Sequence, residues 1–129
     1  MATSLTPTTI RPPFGRYSHG IVVPAGARLL VTSGQLGVRP DDTVPDDVSD
    51  QAEICFAACA AILAEAGMSF ADVIRINAFV TRREDFPAYM AVRDRWVSAP
   101  PPASTLVIVT GFTRPEFKVE VEVTAAKVP

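Results

Sequence analysis

Three groups of side chains in this sequence have the types and spacing that chemistry requires. Glu120 and Glu122 stand two apart in the run from Phe117 to Ala125, on the same side as Lys118 and Thr124, while Phe117, Val119, Val121 and Val123 take the other side. A carboxylate so placed is a general base where it lines a cleft and a plain solvated charge where it does not. Tyr17 and His19 share the same two-residue spacing, which sets a phenol beside the chain's single imidazole. The plainer readings are packing for Tyr17 and an exposed surface histidine for His19. Cys55 and Cys59, four apart, would share one helical face as half of a metal site. The chain offers no third cysteine and only one histidine to complete it, so both read as small buried hydrophobes and no metal is expected.

Composition narrows the setting of these groups. A chain of 129 residues is long enough for one domain with a real core and needs no disulfide or metal staple. With 48% apolar and 20% charged residues it has the balance of a folded protein rather than a disordered one. The formal charge is −2 and the basic residues are scattered near acids such as Glu84, Asp85 and Asp94, so nucleic acid is not an expected partner. The opening residues carry neither a basic nor an apolar signal region, and the apolar run from Phe56 to Ala64 is far too short to span a bilayer. A cytoplasmic protein without membrane association is therefore expected.

The elements that must position the candidate groups follow from periodicity and punctuation. Residues 1–13 are rich in Thr and Pro and lack periodicity, so they read as a flexible N-terminal segment ahead of a single domain over residues 14–129. Tyr17 to Val23 and Arg28 to Ser33 favour strands, with Pro24 to Ala27 as the turn of an opening hairpin. Asp46 and Asp47 suit a helix start, Cys55, Cys59, Ile62, Leu63 and Ala66 recur as one buried face, and Gly67 stops the helix. Ser69 and Asp72 form a capping pair before a strand over Val73 to Thr81. A second helix runs from about Asp85 to Val97, its apolar side interrupted by Arg93, whose stem is expected to lie along that side with its charged head reaching water. Pro100, Pro101 and Pro102 end it, and strands over Ser104 to Thr110 and Phe117 to Ala125 complete the chain.

The order β-β-α-β-α-β-β predicts an α+β fold: one mixed sheet with both helices on one face. Because Leu106 and Ile108 point opposite to Val107 and Val109, the strand from Ser104 is apolar on both sides, and another subunit is expected to cover the second side.

Several segments, in this same order, resemble the RidA/YjgF family, historically labelled endoribonuclease L-PSP or translation inhibitor. GRYSHG (Gly15 to Gly20) is similar to that family's N-terminal Gly-Pro-Tyr-Ser segment, and LLVTSGQLGV (Leu29 to Val38) to its second-strand Ser-Gly-Gln motif. EAGMSFADVIRINAFVTRREDF (Glu65 to Phe86) resembles the passage from the end of the first helix into the second almost position for position, and PPASTLVIV and KVEVEVTA resemble the two C-terminal strands. The resemblance implies a chorismate-mutase-like fold, a homotrimer with clefts between neighbouring subunits, no metal or organic cofactor, and hydrolysis of small reactive enamines and imines to a 2-keto acid and ammonia. It implies Tyr17 lining the cleft, Ser33 and Gly34 at its wall, and Glu120 holding the hydrolytic water.

One family anchor is missing. The motif Pro-x-Arg-Ser/Thr, followed two positions on by Cys, here reads Pro102-Ala103-Ser104-Thr105-Leu106, so Ser104 replaces the arginine and Leu106 the cysteine. Orientation by a carboxylate clamp is a large share of catalysis for a reaction that already proceeds in water. Losing a charge-assisted contact of about 1.5 to 3 kcal/mol weakens an amino-acid-derived imine at least tenfold. Three consequences stay open: a shifted substrate, held by Ser104 and Thr105 as neutral donors and by Leu106 as an apolar wall; another cation, Arg16, Arg75 or Arg114, in the cleft; or a site that binds a small molecule without turnover. A nuclease role is the least expected, with no His pair and no basic track.

Overall fold

Local capping sets the element boundaries. In the computed structural model, which describes residues 2–129, helix α1 (Val48–Glu65) starts at Asp47, whose carboxylate accepts from the backbone N–H groups of Ser49 and Asp50. Its end is a Schellman motif: Gly67 lies at φ +71 and donates to the Ala64 carbonyl, and Met68 donates to that of Leu63. Ser69 and Asp72 cap one another's backbone, as expected of that pair, and lead into strand β5 (Val73–Val80). Helix α2 (Phe86–Trp96) follows, then β6 (Ala103–Ile108) and β7 (Val119–Lys127).

The first third of the chain departs from expectation in two ways. Thr3–Leu5, inside the segment expected to be flexible, is a strand, β1, paired antiparallel with β2 (Gly20–Val22) as a separate ribbon. Strand β3 (Arg28–Val31) does not pair with β2 as an opening hairpin; it runs antiparallel to β7, with Arg28 opposite Lys127 and Val31 opposite Thr124. The turn at Pro24 to Ala27 is present, with Gly26 at φ +81, but it joins two different sheets. A short strand β4 (Gln35–Leu36) continues along the same edge of β7.

The main sheet has the order β3-β7-β5-β6, with β4 also on β7 and β5 parallel to β6. Both helices pack on one face, as expected for the α+β class. Ala52, Cys55, Phe56, Cys59 and Leu63 of α1 meet Ile76, Ala78, Val80, Val119, Val121 and Val123 of the sheet, and Phe56 stacks on Trp96 at 6.1 Å. Both thiols lie inside this core, and burial pushes them up, Cys59 to about 12, so neither is a reactive thiolate. Gln51 is a buried clip that the apolar periodicity did not reveal. Its Nε2 donates to the Pro45 and Glu116 carbonyls at 2.8 and 2.9 Å, and its Oε1 accepts from the Lys118 N–H, tying α1 to the approach of β7.

The opposite face of the sheet is uncovered. Leu29 and Val31 of β3 are 64% and 75% exposed, and Val107 of β6 is 43% exposed. Between them Arg75 donates to Asn77 and Thr105, and Asn77 donates to Glu122, so a polar line crosses this face between its apolar residues. No helix among the described residues is long and apolar enough to cross a membrane.

Candidate functional site

The residues singled out for chemistry fall into two groups within the chain. The first forms around a bulge. From Val31 to Gln35 the edge advances four residues while β7 advances three, from Thr124 to Val121, so one extra residue is inserted at Thr32-Ser33-Gly34. Thr32 keeps the two segments attached, its N–H donating to the Val123 carbonyl and its hydroxyl accepting from the Val123 N–H. The bulge brings Gly34 against Glu120: a Cβ built on Gly34 would lie 2.5 Å from the glutamate Oε2. Glycine is thus required here for close approach rather than for an unusual φ.

Glu120 lies on the uncovered sheet face, level with Phe79 of β5 and Val107 of β6. Partial burial, and secondarily the like charge of Glu122, raise its pKa above the ordinary value. A raised pKa makes the ionised carboxylate a stronger base. Gly34→Ala is expected to displace the carboxylate while costing little stability, because the clashing atoms are the mobile end of a side chain. Its signature is an activity loss with an urea midpoint close to that of the parent chain. Gly37 is the opposite case: a Cβ there would meet the Gln51 Cα at 2.7 Å, where only backbone can yield.

The second group gathers at the start of β6. Ser18 donates to the carbonyls of Pro102 and Pro101 from its N–H and hydroxyl, which fastens the segment carrying Tyr17 to this strand end. Tyr17 is outside any strand; its hydroxyl accepts from the Phe14 N–H, and its ring meets that of His19 edge-on at 6.0 Å. The His19 Nε2 lies 2.8 Å from the Arg11 carbonyl. Arg93, on α2, is 1% exposed, so its head does not reach water as its sequence position suggested. Nε and Nη2 both donate to Asp94 Oδ1, Nη2 also to the Arg16 carbonyl, and Nη1 to Ser104 Oγ at 3.0 Å.

Strand alternation separates Thr105 from Ser104 and Leu106, the three residues expected to hold a shifted substrate. Ser104 faces the helices and meets Arg93, Thr105 faces the uncovered side and accepts from Arg75, and Leu106 packs against the core. One wall of one cleft therefore does not receive Ser104 and Thr105 together. Of the candidate cations, Arg114 is held between Asp42 and Glu116 and over the Phe117 ring, and Arg75 is spent along the sheet. Arg16 lies beside the second group, donating to the Asp94 carbonyl.

Glu120 and Ser104 sit on opposite faces, two strands apart and three residues out of register, since Glu120 pairs with Phe79 and Ser104 with Ile76. At about 3.3 Å per residue along a strand and 4.8 Å between strands, these two centres do not serve one small molecule in a single chain. Two grooves in the chain, of about 390 and 470 Å³, are lined by residues such as Ser4, Ile21, Val73 and Lys127, and Thr81, Phe112 and Arg114, and neither contains Tyr17, Ser33, Gly34, Ser104 or Glu120.

With this geometry in view, the relatives become informative. The family model for endoribonuclease L-PSP matches residues 8–127. A 2-iminobutanoate/2-iminopropanoate deaminase of Dermatophagoides farinae is 30% identical over 112 residues, covering 85% of this chain and 84% of that protein. The RutC family protein YjgH of Escherichia coli is 38% identical over 108 residues, covering 82% and 80%. A crystal structure of YyfB from Yersinia pestis, described as a Rid family protein of unknown function, superimposes with a TM-score of 0.86 at 26% identity over 98% of each chain. Matched from residue 8 onward, with the sheet and both helices in the same chorismate-mutase-like arrangement, the chain belongs to the RidA/YjgF family.

Proposed function

We propose that this protein hydrolyses small reactive enamines and imines, releasing ammonia, in clefts that each need two copies of the chain within a ring of three. One observation carries the reading. The base candidate, Glu120 against Gly34, and the polar group at Tyr17 and Ser104 lie on opposite faces of the sheet, while the face bearing Glu120 is uncovered and edged by Leu29, Val31 and Val107. The reading has a neighbour bury those apolar residues while presenting its own polar group to that acid. The deaminase named among the relatives supports the chemistry.

In this mechanism Glu120 takes a proton from water as its oxygen attacks the C=N carbon, the nitrogen gains protons and leaves as ammonia, and a carbonyl remains. Tyr17 and Ser33 orient the substrate. Ser104 in place of arginine changes how the substrate is held, so the range of imines accepted differs from that of arginine-bearing relatives. The setting is cytoplasmic, where such imines arise.

The test combines turnover with assembly. Ammonia release from 2-iminopropanoate or 2-iminobutanoate, generated in the cuvette, should be faster with the protein than in buffer. Leu29→Glu with Val31→Glu, both on the uncovered face, should yield a folded monomer that falls to the buffer rate. A monomer as active as the parent would remove the shared cleft, and no acceleration by the parent would remove the deaminase reading.

A further inference from the structure

The positive charge absent from position 104 has not left the neighbourhood; it stands one layer deeper, on α2. Arg93 carries five N–H donors, and four are spent: two on Asp94 Oδ1, one on the Arg16 carbonyl and one on Ser104 Oγ. A guanidinium buried to 1% exposure bears a desolvation cost that its hydrogen bonds must offset. Its ionic partner does not account for it, since Asp94 keeps 37% of its side chain in solvent and could be hydrated without Arg93. One turn earlier on the same helix, the Tyr89 hydroxyl is buried with no hydrogen-bond partner among the described residues.

Among the described partners of Arg93, Ser104 is the one that carries a proton of its own. Its oxygen accepts from Nη1, which leaves the hydroxyl proton free to be donated elsewhere. A hydroxyl that accepts from a cation becomes a stronger donor, because each bond in a chain polarises the next. The charged groups around it, Arg93, Arg16 and Asp94, sum to one positive charge, from two cations and one anion. The Arg16 carbonyl bound to Arg93 is the residue before Tyr17, so the same guanidinium also fixes the segment that presents the tyrosine.

We propose that Arg93 is a positioning residue that acts on the bound acid through the Ser104 hydroxyl, the pair Arg93–Ser104 forming a cation-backed donor to a substrate oxygen. The proposal rests on the deaminase reading and deepens it. It replaces a bare serine with a two-residue relay, and it places Arg93, rather than Arg16, Arg75 or Arg114, as the compensating cation.

The experiment is a double-mutant cycle on the full-length protein, read as the dissociation constant of 2-oxobutanoate by calorimetry and as KM and kcat for 2-iminobutanoate. Ser104→Ala should weaken binding about tenfold or more, the loss expected for a bond to a charged donor system, with a smaller change in kcat. Ser104→Thr, which keeps the hydroxyl, should restore it. Arg93→Lys should weaken binding in the parent chain and add nothing in the Ser104→Ala background. Additive effects, or Ser104→Ala equal to the parent, overturn the relay. Ser104→Ala and Ser104→Thr leave the other Arg93 bonds intact, so their comparison decides the matter even where Arg93→Lys fails to fold. A parent chain that neither binds 2-oxobutanoate nor hydrolyses 2-iminobutanoate overturns the deaminase reading itself, and the relay with it.

Discussion

Replacing Glu120 by glutamine is expected to remove the catalysed component of imine hydrolysis, by about a hundredfold or more, and at the same time to make the folded chain more stable at neutral pH. The two effects share a cause. Burial, and then repulsion by Glu122, raise the pKa of Glu120 in the folded state. The fold therefore favours the protonated acid, and that contribution to stability is fully present below the ordinary glutamate value of 4.5 and is lost as the pH rises through the higher folded value. Above that point the ionised carboxylate opposes folding, and a neutral amide of the same shape removes the opposition. Urea midpoints of the parent and Glu120→Gln should thus separate at pH 7, with the variant higher, and converge as the pH is lowered below 4.5. Equal midpoints at pH 7 would mean that Glu120 is solvated like any surface acid, and its claim to be a tuned base would fall.

Arg93→Met should be the most damaging single change to stability among the site residues, at about 3 kcal/mol. Methionine fills much of the volume but leaves the Ser104 hydroxyl and the Arg16 carbonyl without their donor, and Asp94 without its ion pair. The lower end of the range for breaking a buried pair applies, because Asp94 is partly exposed and its charge can be hydrated. Arg16→Ala is the control, since that side chain is exposed and makes one bond to a carbonyl, and it should cost under about 0.5 kcal/mol. Urea unfolding at constant slope measures both. A loss for Arg93→Met no larger than for Arg16→Ala would show that the guanidinium is not held as described.

What sequence by itself determined is the part of the fold written in short-range physics. The alternation of Val119, Val121 and Val123 against Glu120 and Glu122, the stop at Gly67, the capping pair Ser69 and Asp72, and the apolar face of Cys55, Cys59 and Leu63 all depend on neighbours a few residues away. The same alternation separates Ser104 from Thr105, although their shared motif invites treating them as one wall. Motif resemblance supplied Tyr17, Ser33, Gly34 and Glu120 as candidates together, and among these the structure joins Gly34 to Glu120 directly.

Tertiary structure decided which strands pair, and with that which residues meet. Nothing local distinguishes a hairpin of β2 and β3 from the observed pairing of β2 with β1 and β3 with β7, because a strand edge accepts any partner whose register buries the correct face. Arg93 reads in sequence as a surface arginine on an amphipathic helix, since an arginine's stem suits an apolar face whether or not its head reaches water. Its burial follows from acceptors that other parts of the chain bring to it, the Arg16 carbonyl and Ser104, beside its own neighbour Asp94 on α2. A charge survives in the interior only where such partners converge, and convergence is a property of the packed fold rather than of any segment within it.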